Sequence, residues 1–152
     1  MENDEQLSPA EEQMLIEQAQ AVQRNSHSPY SKFAVGAAIL NEDGQIFRGA
    51  NVENASYGAT ICAERSAICS AISAIGPTKF CPKAICVVTD LTEPGAPCGI
   101  CRQTLVEFGD MAVLLYSRPS KKLLKTRVQN LLPMAFTPNA LNTFKSDASM
   151  SN

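Results

Sequence analysis

Two short segments, Cys62-Ala63-Glu64-Arg65 and Pro97-Cys98-Gly99-Ile100-Cys101-Arg102, constrain this chain more than anything else in it. Thiols that share one ion must meet at a point, so the stretch between these segments has to leave and return to the same place. Zinc takes thiolates readily; its structural sites fill all four tetrahedral positions with protein ligands, and its catalytic sites keep one open. Three cysteines, Cys62, Cys98 and Cys101, with the carboxylate of Glu64 two residues beyond the first, suit the open kind. The remaining residues show no obvious spacing for a fourth ligand, which weighs against an ion that merely staples the fold.

The flanking pattern predicts where these residues sit. Ser8-Pro9 followed by Glu11-Glu12 is a helix start: a capping hydroxyl, proline at the first helical position, and acids that favour the positive end of the dipole. Leu15, Ile16, Ala19 and Val22 continue one apolar face to about Arg24. Small apolar residues from Phe33 to Leu40 suit a buried strand, and Asn41-Glu42-Asp43-Gly44 turns it into a second, Gln45 to Asn51. A helix beginning at Thr60 or Ile61 and ending at Gly76-Pro77 places Cys62 in its first turn, where the helix dipole favours a thiolate. After a Val/Ile-rich strand, Lys83 to Thr89, the Pro/Gly-rich loop Thr92 to Pro97 delivers Cys98 and Cys101 to a helix running to about Phe108. Two helix starts are therefore expected to face one metal. A strand over Ala112 to Ser117, a shorter one near Leu123-Leu124 and a helical turn at Val128 to Leu132 complete the expected elements. These give an α/β fold with helices on both faces of a mixed sheet of about five strands, a single domain over 1–145, and a polar tail over 146–152 expected to be disordered.

Several residues carry two readings at this level. Glu64 is either a surface acid complementing the dipole or, lying between two zinc ligands, a general acid and base; the second is the better fit. Arg65 is either a surface ion-pair partner or, with Arg102, a donor to thiolate sulfurs that offsets the negative charge of three thiolates. Asn51 and Glu53 are loop polars, or a pair pointing the same way that holds two sugar hydroxyls. Phe136 is a crevice-filling aromatic or part of a site. His27, the only histidine, stands in a Ser/Pro-rich loop with no metal spacing and is expected to be structural or exposed.

These motifs, with Ser28-Pro29-Tyr30-Ser31-Lys32-Phe33, Asn51-Val52-Glu53-Asn54-Ala55-Ser56-Tyr57 and Leu131-Leu132-Pro133-Met134-Ala135-Phe136, resemble the cytidine deaminase family, specifically its short, all-cysteine, homotetrameric branch. The resemblance spans about residues 10 to 142. It implies a three-layer α/β/α sandwich and one zinc ion per subunit on Cys62, Cys98 and Cys101. It further implies that Glu64 shuttles protons in hydrolytic deamination of free cytidine and deoxycytidine, in pyrimidine salvage. Phe33 would then stack on the base, backbone groups near Ala63 and Cys98 would bind its edges, and Asn51 and Glu53 would hold the ribose. Tyr57 would lie near the substrate at a subunit boundary, and Phe136 over a neighbour's site. Ala96 stands where the family often has serine, and Thr137 where it often has glycine after the aromatic; neither touches the chemistry.

Composition separates the competing substrates. Thirteen Lys and Arg against fifteen Asp and Glu leave a net charge of −2, without the basic face a polynucleotide binder needs. A deaminase acting on cytidine in polynucleotides is therefore disfavoured, and one for a modified pyrimidine nucleoside is disfavoured by the intact Asn51/Glu53 pair. No apolar run approaches a membrane span, and Met1–Gln6 lacks the features of a secretory signal, so the expected location is the cytoplasm. In that reducing compartment the other three of the six cysteines, Cys69, Cys81 and Cys86, are expected to be buried thiols.

Overall fold

The computed structural model describes residues 7–150. Helix α1, Pro9–Gln23, opens on a complete capping box: the Ser8 hydroxyl accepts from the Glu11 backbone N–H, and the Glu11 carboxylate accepts from the Ser8 N–H at 2.8 Å. Strands β1, Gly36–Asn41, and β2, Ile46–Ala50, form the expected hairpin across the Asn41–Gly44 turn. Helix α2, Ala63–Ile75, follows, then β3, Pro82–Thr89, α3, Gly99–Val106, β4, Ala112–Ser117, and β5, Leu123–Arg127. A short helix α4, Val128–Leu131, and a last helix α5, Pro138–Met150, complete the described chain.

The five strands make one mixed sheet in the order β2-β1-β3-β4-β5, in which only β3 and β4 are parallel. Because strand side chains alternate, the central strands divide their apolar residues between two faces. Ala37, Ile39, Ile85, Val87, Val113 and Leu115 pack with Ala63, Ala67, Ile68, Ala71 and Leu105 of α2 and α3. Ala38, Leu40, Ala84, Cys86, Val88 and Leu114 pack with Leu15, Ile16 and Ala19 of α1. Three layers result, as expected.

Two glycines let the outer layers approach the hairpin. A Cβ on Gly36 would lie 2.1 Å from the Ala19 carbonyl of α1, and one on Gly49 would lie 2.2 Å from the Ala67 nitrogen of α2. The first residue pairs with Ala50 and the second with Ala37, neighbouring positions whose side chains leave opposite faces. The hairpin is thus clasped from both sides at nearly one level, and this sets the height at which α2 begins.

Two expectations need correction. Ser146 to Met150 continue α5 instead of forming an unstructured tail; residues 151–152, like Met1–Gln6, lie outside the described residues. Thr143, Ser146 and Ser149 return their hydroxyls to carbonyls one turn back, which removes their competition with the helix. Of the three thiols expected inside, only Cys86 is buried, and burial pushes it up to about 12; Cys69 and Cys81 are exposed. Cys69 falls on the outer side of α2, and Cys81 stands just before β3, beyond the part the sheet covers.

Candidate active site

Cys62 and Cys98 are the N-cap residues of α2 and α3, each in extended backbone with no capping bond from its side chain. A cap whose side chain leaves the helix turns its sulfur outward, and the two helix starts direct their sulfurs at each other. Cys101, in the first turn of α3, is fully buried and supplies the third. Cys62 Sγ and Cys98 Sγ stand 3.9 Å apart, and all three sulfurs lie within 4.8 Å of one another. Zinc–sulfur bonds of about 2.3 Å at tetrahedral angles require sulfurs roughly 3.8 Å apart, so this trio fits the ion with small adjustments. Arg65 Nη2 donates to Cys62 Sγ and to the Thr60 carbonyl, both at 3.4 Å, while its buried Nε has no partner among the described residues.

The electrostatics match a thiolate site. The hydrogen bond from Cys101 and then the Arg65 guanidinium draw the Cys62 thiol down to about 5. Cys101, which gives that bond and is buried, is pushed upward. One thiolate is therefore available before any ion arrives, and binding would displace the remaining protons. Arg65 is held firmly protonated by Cys62 and Cys101. Glu64 is 4 % exposed, and its carboxyl is raised above the usual range, chiefly by burial and then by the neighbouring Cys62 charge.

A cavity of about 290 Å³ opens above the sulfurs, lined by Phe33, Asn51, Cys62, Ala63, Glu64 and Cys98 among others. It adjoins a second hollow formed by Tyr30, Ser31, Glu53 and Tyr57, with Thr60 in both walls. Six of the residues singled out in the sequence thus line one space, and Glu53 and Tyr57 line its neighbour. Tyr57 is exposed and meets Tyr30 edge-on at 5.9 Å. Phe136 is 63 % exposed and does not line the sulfur cavity of its own chain; Gln103 Nε2 holds its carbonyl at 2.8 Å. His27 is exposed and pairs through its backbone with Val52.

Arg102 departs from its expected role. Its Nε donates to the Pro97 carbonyl at 2.7 Å and its Nη1 to the Leu131 carbonyl at 2.8 Å, so it braces the Cys98 loop against α4 instead of reaching a sulfur. One position beyond Cys101 on a helix, a side chain points about 100° away from its neighbour, and spacing alone does not bring it back. Sequence reasoning also missed Val87, Thr89 and Leu91, which form a further wall. Their signal was present: alternate residues at the carboxyl end of a strand leading into a Pro/Gly loop point to one side, and α/β sheets open their crevices there.

The cytidine and deoxycytidylate deaminase zinc-binding region matches residues 9–117. This chain belongs to that family. A cytidine deaminase of Sporosarcina psychrophila is 44% identical over 130 residues, covering 84% of this chain and 93% of that protein. Another from Halalkalibacterium halodurans is 43% identical over 131 residues, covering 86% and 97%. The crystal structure of cytidine deaminase from Burkholderia pseudomallei superposes with a TM-score of 0.76 at 45% identity, covering 82% of this chain and 98% of that one. Zinc is the cofactor of this family's domain, and the cysteine trio has the donor set and spacing to hold it. No helix among the described residues is long and apolar enough to cross a membrane.

Proposed function

We propose that this protein deaminates free cytidine and deoxycytidine hydrolytically, giving uridine and deoxyuridine with release of ammonia, as a step of pyrimidine salvage. The observation that carries the reading is a buried carboxylate, Glu64, beside three converging sulfurs at the floor of a cavity whose wall includes Phe33 and Asn51. Bound zinc supplies the Lewis acidity that makes a water nucleophilic near neutral pH. Cys62, Cys98 and Cys101 hold the ion, and Arg65 offsets part of the charge of three thiolates.

Glu64 takes the proton from the attacking water and passes it to N3 of the pyrimidine as the new C4–O bond forms. It then moves the second water proton to the exocyclic nitrogen, the C4–N bond breaks, and ammonia leaves. The raised carboxyl suits a group that both accepts and returns a proton. First-turn N–H groups lack helical partners, so that of Ala63 is free to bind the base edge. Phe33 stacks on the ring, while Asn51 and Glu53 take the sugar hydroxyls. Tyr57 completes the rim of that second hollow. The exposure of Phe136, away from its own cavity, suits a homotetramer in which it closes a neighbouring subunit's site. The setting is cytoplasmic.

Purified protein mixed with cytidine and followed by ultraviolet absorbance tests the reaction, beside Glu64→Gln with matched zinc content. Steady conversion to uridine by the parent and none by the variant is expected. A zinc-loaded parent that leaves cytidine unchanged would overturn the assignment.

A further inference from the structure

Phe33 stands at the end of an exposed loop. Lys32, immediately before it, occupies the left-handed backbone region at φ 59°, and the segment from Pro29 to Lys32 is exposed. A non-glycine residue held at positive φ persists only where its surroundings determine it. The Glu53 carboxylate holds the loop by accepting from the Tyr30 and Ser31 N–H groups, Gln23 Nε2 donates to the Ala34 carbonyl, and the two residues flanking Ala34 are tied by one further side chain. The Asn51 amide brackets Ala34: Nδ2 donates to the Phe33 carbonyl at 2.8 Å, and Oδ1 accepts from the Val35 N–H at 2.9 Å. Asn51 is 7 % exposed.

Of the four hydrogen bonds an asparagine amide can make, these use two, and a third goes to the Ser26 hydroxyl, which lies against Oδ1. Ser26 in turn stands 3.1 Å from the Ser28 hydroxyl, and its Oγ is 3.4 Å from the Asn51 carbonyl. Its single proton goes to the nearest acceptor, Oδ1, which leaves Ser28 as the donor to Ser26. One N–H of Asn51 remains for a ligand. Ser26 itself does not line the cavity.

We propose that Ser26 is a positioning residue that acts through Asn51 to hold the Phe33 ring, so that the amide facing the sugar also sets the stacking surface for the base. The inference rests on the cytidine reading of the cavity. Removing the Ser26 hydroxyl leaves one lobe of Oδ1 unpaired and lets the amide turn. The Phe33–Val35 segment then loosens, while Glu64 and the sulfurs, on α2 and α3, are untouched. Stacking holds the ground state and the transition state alike, so its loss raises KM and spares kcat.

The test is a double-mutant cycle on cytidine with Ser26→Ala, Phe33→Ala and both together, with Ser26→Thr as the conservative control. Ser26→Ala is expected to raise KM about 5-fold, in keeping with one hydrogen bond, and to change kcat less than about 2-fold. Ser26→Thr, which keeps the hydroxyl, is expected to restore the parent KM. In the Phe33→Ala background, Ser26→Ala is expected to cost less than about 2-fold further, because the ring it positions is gone. An undiminished cost in that background, an unchanged KM in Ser26→Ala, or a loss confined to kcat would each overturn the proposal. A zinc-loaded parent inactive on cytidine would instead overturn the functional reading, so the two failures are told apart.

Discussion

The helix starts of α2 and α3 use the same device and are supported in different ways. Both begin at a cysteine cap whose sulfur turns out of the helix toward the metal position. Helix α2 is seated by packing: Ala63, Glu64, Ala67, Ile68 and Ala71 are buried, and Gly49 of β2 brings the sheet backbone into contact with it. Helix α3 is shorter and buries only Cys101 and Leu105, with Gly99 and Ile100 exposed. Its loop is fastened by the two carbonyl bonds of Arg102. Glu64, the carboxylate proposed to move protons, rides on the helix held by close packing, which tolerates the least displacement. The helix that contributes two of the three sulfurs relies on polar ties, and an ion shared by both would lock it further.

Changes at each support should separate these roles. Cys101→Ser removes the buried ligand of α3, and both zinc content, read by elemental analysis, and turnover should fall to background. Glu64→Gln on α2 should leave zinc content intact and lower kcat by at least about 10²–10⁴-fold, since one group serves several proton transfers. Equal zinc loss in the two variants would break the distinction between ligand and proton carrier. Gly49→Ala should cost about 3 kcal/mol in denaturant unfolding and lower kcat as well, because the added methyl meets only backbone atoms of α2. Arg102→Gln should be the mildest, about 1.5 kcal/mol from loosened carbonyl bonds, with weaker zinc retention against a chelator and kcat near the parent once zinc is restored. If Arg102→Gln instead impaired the zinc-saturated enzyme as much as Gly49→Ala, packing and polar bracing would be equivalent supports.

Much of this was legible along the chain because it is local. The Ser8 cap, the Asn41–Gly44 turn, the strand over Ala112–Ser117 and both cysteine-led helices follow from short-range preferences of serine, proline, glycine and the β-branched residues. The candidate site was legible for the same reason. Cys62 and Glu64 share one helix start, Cys98 and Cys101 another, and thiolates have few partners other than zinc that explain such a grouping. Placement of Phe136 and Arg102 was not legible, since Arg102 depends on the Leu131 carbonyl its neighbourhood presents and Phe136 on the Gln103 amide that reaches its own carbonyl.

What the sequence by itself determined is the chemical inventory: three cysteines and a glutamate at two helix starts, the donor set for zinc and the carboxylate proposed to move protons. Tertiary structure alone decided how these residues are held. The clasp of Gly36 and Gly49 on opposite faces, the reach of Arg102 to Leu131, and the Ser26–Asn51 tie beneath the Phe33 loop join residues far apart in the chain. Such contacts form only after the sheet has brought their backbones together, and no local preference encodes them.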